Sequence, residues 1–196
     1  MTGVQTCALP IFDPLRREAR DALKALHECG IKNIVMMTGD NHKTAQSVAA
    51  EVGVDEFHAE VLPEDKAGYI REAKKNGHTV MMIGDGVNDS PALSEADVGI
   101  AINSGAAIAK EIADVTISSE SLYEIVMLRR LSSALMDRIH GNYRFIVGFN
   151  LLLIILGVGG VIMPTTSALL HNMSTLAIGM KSMTNLLPDE TEEIGR

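Results

Sequence analysis

The stretch from Met81 to Leu93, MMIGDGVNDSPAL, constrains the possible folds of this chain more than any other. The β-branched and methionine run from Val80 to Ile83 predicts a buried parallel strand, and a helix is expected soon after it. The turn between them carries the carboxylates of Asp85 and Asp89 and the amide of Asn88. Open α/β sheets bind ligands at the carboxyl ends of their strands. Oxygen ligands on a tight loop there suit Mg²⁺, which is usually held by one or two carboxylates, waters and a substrate phosphate.

Strand and helix patterns alternate over residues 13–120. Apolar residues at helical spacing, together with the placement of proline and glycine, predict helices over about residues 14–28, 44–52, 63–75 and 106–113. Short apolar runs predict strands over residues 31–37, 57–61, 80–83, 96–102 and 115–117. This alternation is typical of an α/β domain with a doubly wound, mostly parallel sheet.

The first twelve residues fit no element of that pattern. They contain no charged residue, and their apolar part is too short for the core of a signal peptide. Residues 1–12 resemble translated sequencing-adapter read-through, so we treat them as an artefactual leader; a frayed native N-terminus is the alternative. Cys7 and Cys29 show no disulfide or metal-type spacing and fit a reducing compartment. A net charge of -8, with no basic patch carrying interleaved aromatics, argues against a nucleic-acid partner.

The character of the sequence changes after residue 120. Residues 121–141 are expected to form a helical connector that carries arginines, and residues 142–163 a membrane helix, in which Phe145–Met163 is apolar apart from Asn150 and glycines. That length is close to the roughly 20 residues that cross a bilayer. A second, more polar segment covers residues 164–187, and residues 188–196 form a tail. A buried core helix could be equally apolar. However, the preceding domain is already complete, and arginines flank only the near side of the apolar segment. We therefore predict a transmembrane α-helical hairpin with both ends in the cytoplasm.

The α/β region contains three groups of residues of the kind that bind phosphate. Thr38, Gly39 and Asp40 follow one predicted strand, Lys66 lies early in a helix, and the acidic loop at residues 85–89 follows another strand. A transferring phosphoryl group needs a hydroxyl and backbone N–H groups for its oxygens, an ammonium group for its charge and a carboxylate-held Mg²⁺. The order is that of the last motifs of a haloacid-dehalogenase-type phosphotransfer domain. A Thr-Gly-Asp turn is common and a helical lysine is usually solvated, but GDGVNDSPAL rarely arises for turn geometry alone.

Four segments together resemble the P-type ATPases and occur in that family's order: Asp13–Arg16, Met36–Asn41, Pro63–Lys66 and Gly84–Leu93. The resemblance covers nearly all of residues 13–120 and implies a phosphorylation domain. It implies that the phosphoryl site is lined or supported by Thr38, Gly39, Asp40, Lys66, Asn88 and Asp89.

The same resemblance implies two cofactors, Mg²⁺ and ATP. Asp85 would hold the Mg²⁺. Asp13 and Arg16 would lie near ATP, at the hinge to a nucleotide-binding domain. The phosphorylated aspartate of the family sits in an Asp-Lys-Thr-Gly-Thr motif, which this sequence does not contain. Asp13 does not replace it, because no Thr or Ser follows at the right spacing and Pro14 begins a helix. We therefore expect a C-terminal fragment that lacks its N-terminal part and shows no turnover alone, because it has no nucleophile.

The predicted membrane hairpin, residues 142–187, resembles that of the heavy-metal branch of the P-type ATPases. In that branch the chain ends after two membrane helices that follow the phosphorylation domain. His171 and Ser174 share one helical face, and Asn150 is the polar residue of the preceding segment. Polar groups within a bilayer usually face the interior of the helix bundle, and imidazole suits transition metals. We predict that His171, Ser174 and Asn150 contact the transported metal. The alternative is a hydrogen-bonded seam between helices.

The leading hypothesis is a fragment of an ATP-driven transition-metal pump. It would be an integral protein of the bacterial plasma membrane with its soluble domain in the cytoplasm. Its partners would be the lipid bilayer, the metal cation and the N-terminal part of the same pump. One alternative is a membrane-anchored haloacid-dehalogenase-type phosphatase, which needs an Asp-x-Asp motif that residues 1–12 do not supply. A third possibility is a non-catalytic module that binds Mg²⁺ or nucleotide and regulates a pump.

Overall fold

The chain has two structural units. The computed structural model describes residues 18–84, 88–102, 111–117 and 121–187. The first unit extends to Val126, and the second begins at Met127. The first is an α/β unit, and the second is built from two long helices.

The α/β unit alternates helices and short strands, as the sequence predicts. Its helices are α1 (Ala19–Glu28), α2 (His42–Val52), α3 (Pro63–Lys75) and α4 (Ser90–Glu95), and residues 111–112 are also helical. Its strands are β1 (Val35–Met37), β2 (Glu56–His58), β3 (Met81–Gly84), β4 (Val98–Ile102) and β5 (Val115–Ile117).

All the ladders between the described strands of this unit are parallel. β1 pairs with β2, and β3, β4 and β5 form a second sheet in that order. In the described part of the chain, no ladder joins β1 to β3. The parallel α/β fold predicted from the sequence is therefore confirmed, with the strands in two separate groups.

The two groups of strands share one apolar core. Its buried centre brings together α3, β3 and α4 through Ile70, Met82, Ala92 and Leu93. Met37, the last residue of β1, packs against this same cluster. The ends of β1 and β3 are therefore held by one core, although the strands are not hydrogen-bonded to each other.

Local signals determine where α2 and α3 begin and end. The side chain of Asn41 accepts a hydrogen bond from the backbone N–H of Thr44 at 3.0 Å, which caps α2. Gly53 ends that helix with a φ of 81°, a left-handed conformation that favours glycine. Pro63 occupies the first turn of α3, where its missing N–H removes no helical hydrogen bond.

The carboxylate of Asp97 anchors the backbone that leads into β3. Its Oδ2 accepts a hydrogen bond from the Val80 N–H at 2.8 Å, and its Oδ1 lies 3.2 Å from Lys74 Nζ. The Val80 N–H, followed by the Lys74 ammonium, lowers the pKa of Asp97 below its ordinary value. The carboxylate thus joins the end of α3 to the start of β3.

The second unit consists mainly of α5 (Tyr123–Val158) and α6 (Pro164–Ser182), although the first residues of α5 belong to the α/β unit. The predicted connector and first membrane segment form one continuous helix, and that helix ends at Val158 instead of at residue 163. Among the described helices, only α5 is long and apolar enough to cross a membrane by length and composition, with a mean hydropathy of 1.6 over its best window. The more polar α6 is not such a candidate.

Polar contacts show that α5 and α6 form an antiparallel hairpin. Asn142 Nδ2 donates to Ser182 Oγ at 3.0 Å, and His171 Nδ1 lies 2.8 Å from Asn150 Oδ1. An early position on α5 therefore pairs with a late position on α6. The chain reverses over residues 159–163, where Gly160 has a φ of 71°.

Candidate functional site

The first part of the candidate site is the loop that joins β1 to α2. Thr38 Oγ1 donates to Asp40 Oδ2 at 3.0 Å and accepts from the Asp40 backbone N–H at 3.1 Å. Gly39 and Asp40 are exposed, and the Gly39 N–H makes no hydrogen bond within the described residues. The loop therefore offers a free backbone donor beside a hydroxyl and a carboxylate.

A nearly buried ion pair forms the second part. Lys66 Nζ lies 2.7 Å from Asp89 Oδ1, and the two side chains are 15% and 12% exposed. Lys66 lies in the first turns of α3, and Asp89 immediately precedes α4. Desolvating each ion costs several kcal/mol, so such a pair contributes little net stability. Its main consequence is that an ammonium group is held at a fixed position close to the end of β3.

Gly84, the last residue of β3, leaves room for that ion pair. A Cβ atom at this position would lie 2.5 Å from Asp89 Oδ2 and 2.8 Å from Asp89 Cβ. Any side chain at Gly84 would thus displace the carboxylate that holds Lys66. In the sequence, Gly84 stood out only as part of the motif Gly84–Leu93. The signal in the sequence that could have revealed its role is a glycine at the end of a predicted strand, five residues before the acidic Asp89.

The structure brings the predicted residues together as two pairs. Thr38 contacts Asp40, and Lys66 contacts Asp89. No hydrogen bond joins one pair to the other within the described residues. Asn88 is exposed beside the second pair. Three further predicted residues lie outside the described residues: Asp13, Arg16 and Asp85.

Asp89 and, in the sequence, Asp85 supply carboxylates close to the end of β3, the type of donor that Mg²⁺ prefers. No group of three or more His, Cys, Asp or Glu side chains that could hold a metal occurs among the described residues. Mg²⁺ needs only one or two carboxylates when a substrate phosphate and waters complete its shell. Asp89 is already bonded to Lys66 through one oxygen. Asp85, which follows β3 directly, remains the candidate ligand.

The predicted membrane residues meet between α5 and α6. His171 and Asn150 form the interhelical contact described above, and both line a cavity of about 620 Å³, together with Ser167. Ser174 Oγ and Thr175 Oγ1 donate instead to the His171 carbonyl oxygen, at 2.7 and 3.1 Å. The interhelical seam expected by the alternative interpretation is thus present at Asn150 and His171. The two hydroxyls bond within their own helix and keep oxygen lone pairs available.

Comparison with known proteins identifies the family. Residues 5–97 match the haloacid dehalogenase-like hydrolase family. The chain is 41% identical over 177 residues to the zinc-exporting P-type ATPase of Mycobacterium marinum. It is 42% identical over 177 residues to the manganese-exporting P-type ATPase of Mycobacterium tuberculosis. Each alignment covers 90% of this chain, but only 24% and 25% of the two relatives.

A solved structure agrees with these relatives. The crystal structure of a zinc-transporting PIB-type ATPase in its E2.Pi state has a TM-score of 0.78 and 32% sequence identity, covering 85% of this chain and 27% of that one. The chain belongs to the heavy-metal P-type ATPases. It matches their C-terminal portion and spans about a quarter of the length of the curated relatives.

For this heavy-metal P-type ATPase segment, the family and the haloacid-dehalogenase-like α/β fold predicted from the sequence are confirmed. The roles assigned to individual residues stay predictions. The two mycobacterial relatives are named for the export of different metals, zinc and manganese. Family membership therefore does not by itself assign a metal to this chain.

Proposed function

We propose that this chain supplies the Mg²⁺- and phosphate-binding half of the phosphorylation site of an ATP-driven transition-metal pump, together with part of its membrane metal path. The observation that carries the proposal is the nearly buried ion pair of Lys66 and Asp89 beside the end of β3. The pump would be an integral protein of the bacterial plasma membrane, with the α/β unit in the cytoplasm. The apolar α5 supports the membrane assignment.

Each part of the site has a distinct task in this proposal. The free Gly39 N–H donates to a phosphoryl oxygen, the Thr38 hydroxyl exchanges its bond to Asp40 Oδ2 for one to phosphate, and the Lys66 ammonium group neutralises the charge of the phosphate. Asp40 and Asp89 orient Thr38 and Lys66 through the hydrogen bonds described above. Mg²⁺ at Asp85, supported by the Asn88 amide, would supply further positive charge to the phosphate.

The phosphorylated aspartate would come from another part of the pump, on a strand inserted between β1 and β3. Both strands contact one apolar core but do not pair with each other in the described part of the chain. All the described ladders are parallel, so an inserted parallel strand would end at the same edge as Thr38 and Gly84. Asp13 and Arg16 would then lie near the ATP that phosphorylates this aspartate.

Substitution of Asp85 by asparagine in the intact pump tests the phosphorylation site. Asp85→Asn should abolish acyl-phosphate formation from ATP, because the amide carries no charge with which to hold Mg²⁺. Acid-stable incorporation of phosphate from labelled ATP measures this reaction. Asp65→Asn is the matched control: this acidic residue lies beside Lys66 in the exposed first turn of α3 and should leave phosphorylation intact. Normal phosphorylation of Asp85→Asn would refute the Mg²⁺ role.

Substitution of His171 tests the membrane part of the proposal. His171, Ser174 and Asn150 are the candidate contacts of the transported metal, and the imidazole is the donor best suited to a transition metal. His171→Ala should reduce metal-stimulated ATPase activity of the intact pump. His140→Ala removes an exposed histidine from α5 and serves as the control. An unchanged metal response of His171→Ala would leave the interhelical seam as the role of this residue.

A further inference from the structure

The contact between Asn150 and His171 defines which ring nitrogen carries a proton. His171 Nδ1 lies 2.8 Å from Asn150 Oδ1. An amide oxygen has no hydrogen to donate, so it accepts and Nδ1 donates. In a neutral imidazole only one nitrogen carries hydrogen, which leaves the lone pair on Nε2. Nε2 makes no hydrogen bond within the described residues.

No other described side chain forms a hydrogen bond with the His171 imidazole. The hydroxyls of Ser174 and Thr175 bond to the His171 backbone carbonyl, not to its imidazole. Ser167 lines the same cavity as His171 and Asn150 but makes no hydrogen bond to the ring. Within the described part of the hairpin, Asn150 alone therefore fixes the tautomer and restricts the rotation of the ring.

We propose that Asn150 is a positioning residue, which holds His171 in its Nδ1–H form so that the Nε2 lone pair can bind the transported cation. This inference rests on the proposed function, in which His171 is a ligand. It gives Asn150 a task beyond the metal contact proposed above, because its amide oxygen accepts a hydrogen bond from the ring. A hydrogen bond to the distal nitrogen of a metal-binding histidine raises the basicity of the ring, and its loss typically lowers metal affinity by about 10–100-fold.

The tautomer is measured first, on the full chain in lipid bilayers. Solid-state NMR of ¹⁵N-labelled histidine distinguishes protonated from bare ring nitrogens, and comparison with His171→Ala assigns the signal. Unsubstituted chain should show His171 with hydrogen on Nδ1. Asn150→Leu should give a mixture of tautomers, and Asn150→Asp, which retains an acceptor, should restore the Nδ1–H form. An unchanged His171 spectrum in Asn150→Leu would overturn the proposal.

Asn142→Leu is the matched control for that measurement. Asn142 lies two turns earlier on α5 and also makes an interhelical amide hydrogen bond, to Ser182 Oγ at 3.0 Å. It does not line the cavity. The control should leave the His171 tautomer unchanged. A shift equal to that of Asn150→Leu would show that general loosening of the hairpin is the cause, and would overturn the positioning role.

Zn²⁺ affinity of the intact pump separates this inference from the function on which it rests. Asn150→Leu should weaken Zn²⁺ binding by about 10–100-fold, while Asn142→Leu should not. If the tautomer shifts in Asn150→Leu but Zn²⁺ affinity does not change, the positioning role is refuted and His171 can still be a ligand. If His171→Ala itself binds Zn²⁺ normally, the ligand role in the proposed function fails, whatever the tautomer.

Discussion

At Gly84, the absence of a side chain determines where the Asp89 carboxylate can lie. A Cβ atom there would overlap Asp89, so Gly84→Ala must shift the Asp89 side chain, whose other carboxylate oxygen bonds to Lys66. Overpacking of this kind typically costs about 1–3 kcal/mol. We expect Gly84→Ala to lower the free energy of unfolding of the full chain by that amount, and to weaken phosphorylation of the intact pump. Urea unfolding in detergent micelles and labelling from ATP measure the two effects.

Gly68 provides the control for that substitution. It lies within α3, and a Cβ atom there would meet no heavy atom within 4 Å. Alanine is the better helix former by about 1 kcal/mol, so Gly68→Ala should be neutral or stabilising. Equal stability and equal phosphorylation of Gly84→Ala and Gly68→Ala would show that the carboxylate does not need the space at Gly84.

The end of α6 depends on one arginine of α5. Arg138 donates from Nη1 to the carbonyl oxygens of Ser182 and Thr184, at 3.2 and 2.6 Å, and from Nη2 to that of Asn185, at 2.7 Å. The last carbonyl groups of a helix have no partner within it, and a cation there interacts favourably with the helix dipole. The guanidinium group therefore fastens the C-terminal end of α6 to α5.

Replacing Arg138 should loosen this end of the hairpin. We expect Arg138→Gln to cost about 1 kcal/mol locally, since these hydrogen bonds are solvent-exposed. Amide exchange over residues 182–185 should then become about fivefold faster, as mass spectrometry of the full chain in micelles can detect. Arg130→Gln is the control, because the exposed Arg130 side chain makes no hydrogen bond or ion pair within the described residues. Equal exchange in both variants would contradict the capping role.

The elements with strong local signals were predicted well from the sequence. α3 matches the predicted bounds because Pro63 starts it, and the ends of α2 follow from Asn41 and Gly53. β1 is shorter than its apolar run, because the N–H of Ile34 bonds to the Asp55 carboxylate instead of to a neighbouring strand. Contacts between residues far apart in sequence carry no such local signal.

In the candidate site too, single residues were predicted from local motifs, whereas contacts between residues far apart in sequence were not. The motifs named Lys66 and Asp89, but the ion pair between them joins positions 23 residues apart and depends on how α3 and α4 pack. The space at Gly84 becomes visible only once Asp89 is placed. The continuous α5 was also not predicted: the change in composition divided it into a connector and an apolar segment, although no proline interrupts Tyr123–Val158.

At the scale of the whole molecule, the proposed function divides the phosphorylation site between this chain and the rest of the pump. In that proposal, this chain supplies the groups that bind phosphate, and its sequence contains no Asp-Lys-Thr-Gly-Thr motif. Without a nucleophile, a correctly positioned ammonium group and Mg²⁺ have no acceptor for the phosphoryl group. The full chain alone in lipid vesicles should therefore form no acyl phosphate from ATP.

Adding the rest of the pump as a separate polypeptide should restore that reaction. The strand with the acceptor aspartate would then fill the position between β1 and β3, which one core already holds close together. Co-expressed halves should incorporate phosphate in a Mg²⁺-dependent manner, and Lys66→Met in this chain should remove most of it. Lys75→Met, an exposed lysine at the end of α3, is the matched control and should retain it. Phosphate incorporation by the chain alone would locate the acceptor within these 196 residues and refute the divided site.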